Sequence, residues 1–229
     1  MKTIGLIGGM SAESTTVYYQ TLNRLARERL GGLHSAEIVL RSVDFAPIAK
    51  MQARDAWDET GAILEAHARA LEAAGAGVVL ICANTMHLNY DQVAASVGAP
   101  VIHIGDATAA ALKAKGSARP LLIATRYTME KPFYRERLAA QGVDAIVPDQ
   151  ADRDRLQAII FEELVVGDIR PASKAAVLAM YAKARAAGCD GVIFGCTEIG
   201  LLVSPDDFDR PSVDTAIVHC EAAMDFALA

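Results

Sequence analysis

Apolar positions along the chain fall into two kinds of segment that alternate. Short runs rich in Val, Ile and Leu are separated by longer stretches of Ala, Glu, Arg and Lys in which apolar residues recur with a helical period. The first kind predicts strands buried on both faces, the second the helices that cover them. Strands are expected at Thr3 to Ile7, Glu37 to Val43, Gly77 to Ile81, Val101 to Ile104, Leu121 to Ala124, Val143 to Val147, Gly191 to Phe194 and Ser212 to Asp214. Helices are expected at Ser14 to Leu30, Trp57 to Ala74, Asp106 to Lys115, Lys131 to Gln141, Asp152 to Val166, Pro171 to Ala187 and Thr215 to Ala227. The pattern is that of an α/β protein with parallel sheets.

The order of elements up to about residue 100 is roughly repeated afterwards. Ala74-Gly75 followed by Val78 to Thr85 aligns without a gap on Ala187-Gly188 followed by Gly191 to Glu198, and in that register Ala83 stands opposite Cys196. Two similar lobes are expected, residues 1–100 with 211–229 and residues 101–210, related by a pseudo-two-fold. The C-terminal ends of their strands would converge on one cleft, where such sheets bind ligands.

Composition narrows the partner. A formal net charge of −6, with no long cluster of Lys or Arg, leaves no electrostatic footprint for a nucleic acid or an anionic membrane. A small molecule is the expected partner. The opening Met1-Lys-Thr-Ile-Gly-Leu-Ile-Gly-Gly is too short and too Gly-rich for a signal segment, and no apolar run approaches the ~20 residues of a membrane span. A cytoplasmic protein is therefore expected. Cys82, Cys189, Cys196 and Cys220 have no C-x-x-C spacing and are expected as thiols.

Three segments could carry chemistry. Gly8-Gly-Met-Ser11 joins the first strand to a helix, with Ser11 as a candidate N-cap and glycines that let a carboxylate approach the backbone. The spacing is neither a dinucleotide fingerprint nor a P-loop. Cys82-Ala-Asn-Thr-Met-His87 ends the third strand; Cys82 reads as a buried hydrophobe, while His87 is either a base or a structural cap. Gly195-Cys-Thr-Glu198 occupies the same place in the second half. There a thiol entering a helix N-terminus is expected to have its pKa lowered, with Thr197 and Glu198 supporting the thiolate, so Cys196 is the candidate catalytic group. Cys189 and Cys220 read as structural, and no His, Cys or carboxylate pair has metal-ligand spacing.

Gly8-Gly-Met-Ser-Ala-Glu-Ser-Thr, Ser42-Val-Asp-Phe45, Asn84-Thr-Met-His87, Thr125-Arg-Tyr-Thr-Met-Glu130 and Gly195-Cys-Thr-Glu198 occur in this order. With them the chain resembles the aspartate/glutamate racemase family over essentially its whole length, in its aspartate or broad-specificity branch. The resemblance implies two Rossmann-like lobes, a homodimer, an amino acid as substrate, and no pyridoxal phosphate or other cofactor or metal. It also implies two acid/base residues, one from each lobe on either face of the α-carbon. One maps onto Cys196. The other maps onto Ala83, which has no proton to give, and the chain is read as an inactivated variant of a two-base enzyme. Two further accounts stand beside it. Cys82, His87 or a water could serve the vacant face, or the chain could resemble the arylmalonate decarboxylases, which need only one thiol. A non-catalytic carboxylate-binding module is a third possibility. The resemblance further implies substrate contacts at Met10, Ser11, Gln52, Asn84, Thr85, Thr125 and Thr197. A Lys expected for acidic substrates is replaced at Val165-Val166, leaving Arg41, Arg126 or Lys131 as stand-ins.

Overall fold

A computed structural model describes residues 1–229. The chain divides into two units, Met1–Ile104 with His219–Ala229, and Gly105–Val218. Each is built on a parallel sheet of three strands.

The first unit runs β1 (Ile4–Gly8), α1 (Ala12–Leu30), β2 (Ile38–Ser42), α2 (Phe45–Ala53), α3 (Trp57–Ala73), β3 (Val78–Ile81), a tight helical turn at Thr85–Asn89, and α4 (Tyr90–Ala95). The strand order is β2-β1-β3, with Ile4 level with both Ile38 and Val78. Central β1 is buried at every position, as continuous apolar character requires of a strand between two neighbours and two faces. Leu64, Ala68 and Leu71 of α3 pack with Ile7, Val79 and Ile81 in one apolar cluster. Their spacing of four and three residues along α3 is the stripe the sequence pattern anticipates.

The second unit runs α5 (Ile104–Ala114), β4 (Pro120–Ile123), α6 (Arg126–Glu130), α7 (Pro132–Ala139), α8 (Gln150–Ala158), α9 (Pro171–Ala186), β5 (Gly191–Phe194), α10 (Ile199–Leu202), β6 (Ser212–Asp214) and the first turn of α11 (Thr215–Leu228), whose remainder from His219 lies in the first unit. Its strand order is β4-β5-β6. The chain leaves the first unit after Ile104, at the head of α5, and returns between Val218 and His219, within α11.

Two expected strands are corrected. Val101 makes a single parallel bridge to Val79, because the chain turns into α5 at Ile104 before a ladder can form. Residues 143–147 likewise reduce to one bridge between Ile146 and Leu121, and Pro148 brings no further N–H donor. The helix expected over Asp152 to Val166 is regular only to Ala158. It widens by one i→i+5 turn at Ile159–Glu163, tightens at Leu164–Val166 and stops at Gly167, whose φ is +78°. Glu163 closes this irregular end by accepting from the Ser173 hydroxyl and the Arg170 guanidinium. No helix is long and apolar enough to cross a membrane.

Candidate functional site

In the first unit the C-terminal ends of the three strands are tied into one surface by loop hydrogen bonds. Gly9 turns the chain after β1 with φ +88°, and a Cβ there would lie 2.3 Å from the Val43 carbonyl oxygen, so only glycine fits. The Val43 N–H donates to the Gly8 carbonyl (3.0 Å), holding the end of β2. Ser11 caps α1 by accepting from the Ser14 N–H (3.1 Å), and the Ser14 hydroxyl donates to the Cys82 carbonyl (3.1 Å), holding the end of β3. The Gly9 N–H in turn donates to the Thr15 hydroxyl at 2.7 Å.

Met10, Ser11, Gln52, Asn84 and Thr85 are all buried here, and Ala83 is half-buried against the apolar cluster that holds Met10 and Met86. Gln52 reaches this place because Asp44 caps α2, accepting from the Ala46 N–H. Its amide lies 3.0 Å from the Met86 sulfur. Cys82 is 0% exposed and its burial pushes the thiol far up, so it is a core residue and not a base for the vacant face. Of the two readings of His87, base or structural residue, the contacts favour the structural one. Its Nδ1 lies 2.9 Å from the Ala83 carbonyl oxygen and its Nε2 accepts from the Ile104 N–H at 3.1 Å, so both ring nitrogens are spent on the backbone.

In the second unit the corresponding strand ends carry Thr125, Cys196, Thr197, Glu198 and Asp214. Thr125 caps α6, accepting from the Thr128 N–H. Gly195 brings β5 close to β4: its N–H donates to the Ile123 carbonyl (2.8 Å), and a Cβ on it would lie 2.7 Å from Leu122 Cδ1. The Cys196 thiol donates to Glu198 Oε2 at 2.8 Å, and the Thr197 hydroxyl donates to the same oxygen at 2.9 Å. Both Cys196 and Glu198 are buried.

This arrangement overturns the expected lowering of the Cys196 pKa. Burial, then the Glu198 charge and hydrogen bond, hold the thiol well above the ordinary range, with the Asp214 charge adding to them. α10 is only four residues long and begins after Glu198, so its dipole is too small to oppose an adjacent carboxylate. Glu198 takes the thiol proton's hydrogen bond rather than stabilising a thiolate.

Asp214 was not singled out from the sequence. It ends β6 level with Phe194 of β5, and one carboxylate oxygen accepts from the Ala216 and Ile217 N–H groups at the head of α11. Burial pushes its carboxyl up to about 6. The signal for it was present: an Asp between a short apolar run and a helix is an N-cap pattern, and here it falls at a strand end. Of the proposed stand-ins for a cation, Arg126 is paired with Asp154 (3.0 Å), Arg41 lies beside His67, and Lys131 sits at the head of α7. Val165 is half-buried and Val166 is exposed. No group of three His, Cys, Asp or Glu side chains is arranged to hold a metal ion.

Residues 7–223 match the family described as Asp/Glu/hydantoin racemase. A Yersinia pestis protein described as a candidate Asp/Glu racemase is similar over all of both chains, with 46% identity and a TM-score of 0.93. An aspartate racemase homologue from Pyrococcus horikoshii is similar over all of both chains, with 33% identity and a TM-score of 0.88. An aspartate racemase from Picrophilus torridus shares the fold at 21% identity, covering 99% of this chain and 94% of that one with a TM-score of 0.81.

Proposed function

The chain belongs to the Asp/Glu/hydantoin racemase family, and from that premise we propose that it works at the α-carbon of an amino acid, with Cys196 giving or taking the α-proton on one face. The observation that carries this reading is the 2.8 Å bond from the Cys196 thiol to Glu198 at the end of β5. A thiol held protonated is the proton-donating form. When the same residue acts as a base, the acceptor for its proton is already in contact. Transfer to Glu198 leaves a thiolate beside a neutral carboxylic acid, which removes the like charge that otherwise opposes ionisation.

The carbanion left by proton removal needs donors aimed at the substrate carboxylate. Asn84, Thr85, Thr125 and Thr197 are assigned that role, with Met10, Ser11 and Gln52 lining the rest of the site. Stabilisation of developing charge by such fixed donors is worth several kcal/mol, about 3 per donor in well-studied cases.

Racemisation also needs a protic group on the opposite face. Position 83 is assigned to that face, and alanine supplies nothing there. Cys82 is buried in the core and His87 is bonded through both ring nitrogens, so neither replaces it. The chain as it stands should therefore exchange the α-proton on one face only. In deuterium oxide, one enantiomer of the substrate should take up deuterium with retention of configuration. Ala83→Cys or Ala83→Thr should then add interconversion of the two enantiomers. Absence of exchange with every amino acid of a panel that includes aspartate and glutamate, in all three chains, would refute the reading.

Ala83 also favours a second reading. Loss of carbon dioxide from a malonate-type acid creates a carbanion without a base, so one proton donor completes the reaction. Carbon dioxide release that Cys196→Ala abolishes, without α-proton exchange, would replace the racemase reading by this one. A cytoplasmic homodimer completes the proposal, and a single-chain mass in light scattering would remove the dimer.

A further inference from the structure

Three histidines and two tyrosines lie together within the first unit, and the reading above gives their bonds no part in the chemistry. His87, His103 and His219 are 2%, 5% and 0% exposed. The His87 ring lies 4.8 Å from His103 and 5.6 Å from His219, and Tyr90 lies 4.5 Å from His103. Backbone partners fix where the ring protons are. The Ile104 N–H can only donate, so His87 Nε2 carries a lone pair and its Nδ1 carries the hydrogen that meets the Ala83 carbonyl. His219 has the opposite arrangement: Nε2 lies 2.9 Å from the Ile102 carbonyl oxygen and so carries the hydrogen, while Nδ1 accepts from the Tyr18 hydroxyl at 2.8 Å.

These bonds fall at particular places in the chain. Ile104 is the last residue before the chain leaves the first unit, and His219 is the first residue after it returns. The outgoing crossing is bonded to His87, and the returning crossing is bonded through His219 to Ile102, two residues before the exit. His87 also holds the carbonyl of residue 83.

We infer that His87 is a positioning residue, whose neutral ring joins the backbone of residue 83 to the exit crossing, and that His219 in the opposite tautomer clamps the return crossing to the same point. The inference rests on the proposed reading only in taking residue 83 as a wall of the site. A proton added to His87 would fill the lone pair that Ile104 uses, and one added to His219 would fill the lone pair that Tyr18 uses. The titratable groups facing these rings are Tyr18 of α1, Tyr90 of α4, His103 of the connection to α5 and, for each of the two rings, the other. Burial, with His87 nearby, holds His219 down to about 3, which keeps its clamp neutral through the physiological range.

The test is a long-range 15N–1H spectrum of the unaltered full-length chain at neutral pH, which reads ring tautomers without any turnover. His87 should show the Nδ1–H form and His219 the Nε2–H form. The same tautomer at both sites, or a doubly protonated His87, overturns the inference. Amide exchange at Ile104 should quicken about tenfold in His87→Phe, the usual worth of one buried hydrogen bond. In His87→Asn, which can still donate to the Ala83 carbonyl, Ile104 should quicken equally while the segment after β3 keeps its protection. An unchanged Ile104 rate in a folded His87→Phe chain also overturns it. If neither variant folds, the tautomers of the unaltered chain decide. Failure of the catalytic reading would leave the tautomer spectrum and the exchange rates as stated, so the two ideas fail separately.

Discussion

The repeat lays Val78–Thr85 over Gly191–Glu198, and both segments end a parallel strand and enter a short helical turn. Their side chains are spent differently. After β3, the carbonyls of Cys82 and Ala83 are taken by the Ser14 hydroxyl and the His87 ring, so the polar groups there hold backbone. After β5, the Cys196 thiol and the Thr197 hydroxyl both donate to one carboxylate, so the polar groups there hold a proton. One framework, used twice, spends its polar groups on backbone in the first half and on a thiol–carboxylate contact in the second. The difference turns on one position, where Ala83 stands opposite Cys196.

The largest effects should come from removing the group that makes the halves unequal. Cys196→Ser should lower α-proton exchange by about 10²- to 10⁴-fold, the usual contribution of a positioned acid/base group. Glu198→Gln sharpens the point because it should move two readouts in opposite directions. Without the carboxylate beside it the thiol ionises more easily, and trapping of Cys196 by iodoacetamide near pH 8 should quicken about tenfold, the equivalent of one pKa unit. Exchange should slow, because the proton loses its acceptor. Equal or slower alkylation in that variant would show that Glu198 does not govern the thiol.

The two units should also answer pH in opposite directions. His219 in the first unit has its folded pKa depressed from 6.5 to about 3. Its contribution is complete above the unfolded value and is lost as pH falls from about 6.5 towards 3. Over that whole window it amounts to about 5 kcal/mol as an upper bound. Asp214 in the second unit has its folded pKa raised from 3.8 to about 6. Its contribution is complete below 3.8 and is lost as pH rises through 6, a change on the order of 3 kcal/mol. Between pH 4 and 6, acidification should weaken the first unit and strengthen the second. Amide exchange read separately in β1 with β3 and in β4 with β5 would show the divergence. Asp214→Asn keeps an acceptor for the Ala216 and Ile217 N–H groups and should flatten the second unit's slope; parallel slopes in the unaltered units would contradict the account.

Much of the scaffold could be read from the chain because burial leaves a periodic trace. β1, β3, β4 and β5 are apolar throughout, α3 carries its stripe, and Ser11 followed by Glu13 and Ser14 announces the head of α1. Short helices escaped because they carry too few turns for a pattern of their own: α2 and α6 are held by the Asp44 and Thr125 caps, and α10 is four residues long. The candidate site was legible as residue identities but not as electrostatics. Cys196 before Thr197 and Glu198 reads equally well as a supported thiolate or as a thiol opposed by a carboxylate. Which it is depends on the 2.8 Å contact and on burial, neither of which spacing along a chain specifies. His87 likewise reads equally as a base or a structural cap until Ile104, seventeen residues on, is seen to occupy its second nitrogen.

The smallest effects separate the two scaffolds through their glycines. At Gly9 the backbone has φ +88°, and an added Cβ would meet the Val43 carbonyl oxygen at 2.3 Å and its nitrogen at 2.5 Å. Neither obstacle is a flexible side chain, and the conformation itself disfavours alanine. Gly9→Ala should therefore cost about 2 kcal/mol or more in chemical denaturation. At Gly195 no left-handed conformation is involved, and the nearest obstacle is the tip of Leu122 at 2.7 Å, with Ala124 Cβ at 2.9 Å. Gly195→Ala should cost about 1 kcal/mol, the overpacking penalty for one methyl group where a side-chain end can yield. The order of the two costs is the informative part. Gly9 supports the bonds that tie the first unit's strand ends together, and its loss should spread to Val43 and Thr15. Gly195 adjoins the thiol, so its replacement should disturb alkylation of Cys196 more than it disturbs folding. A Gly195→Ala chain less stable than Gly9→Ala would mean that the second strand end, not the first, is the more rigidly built.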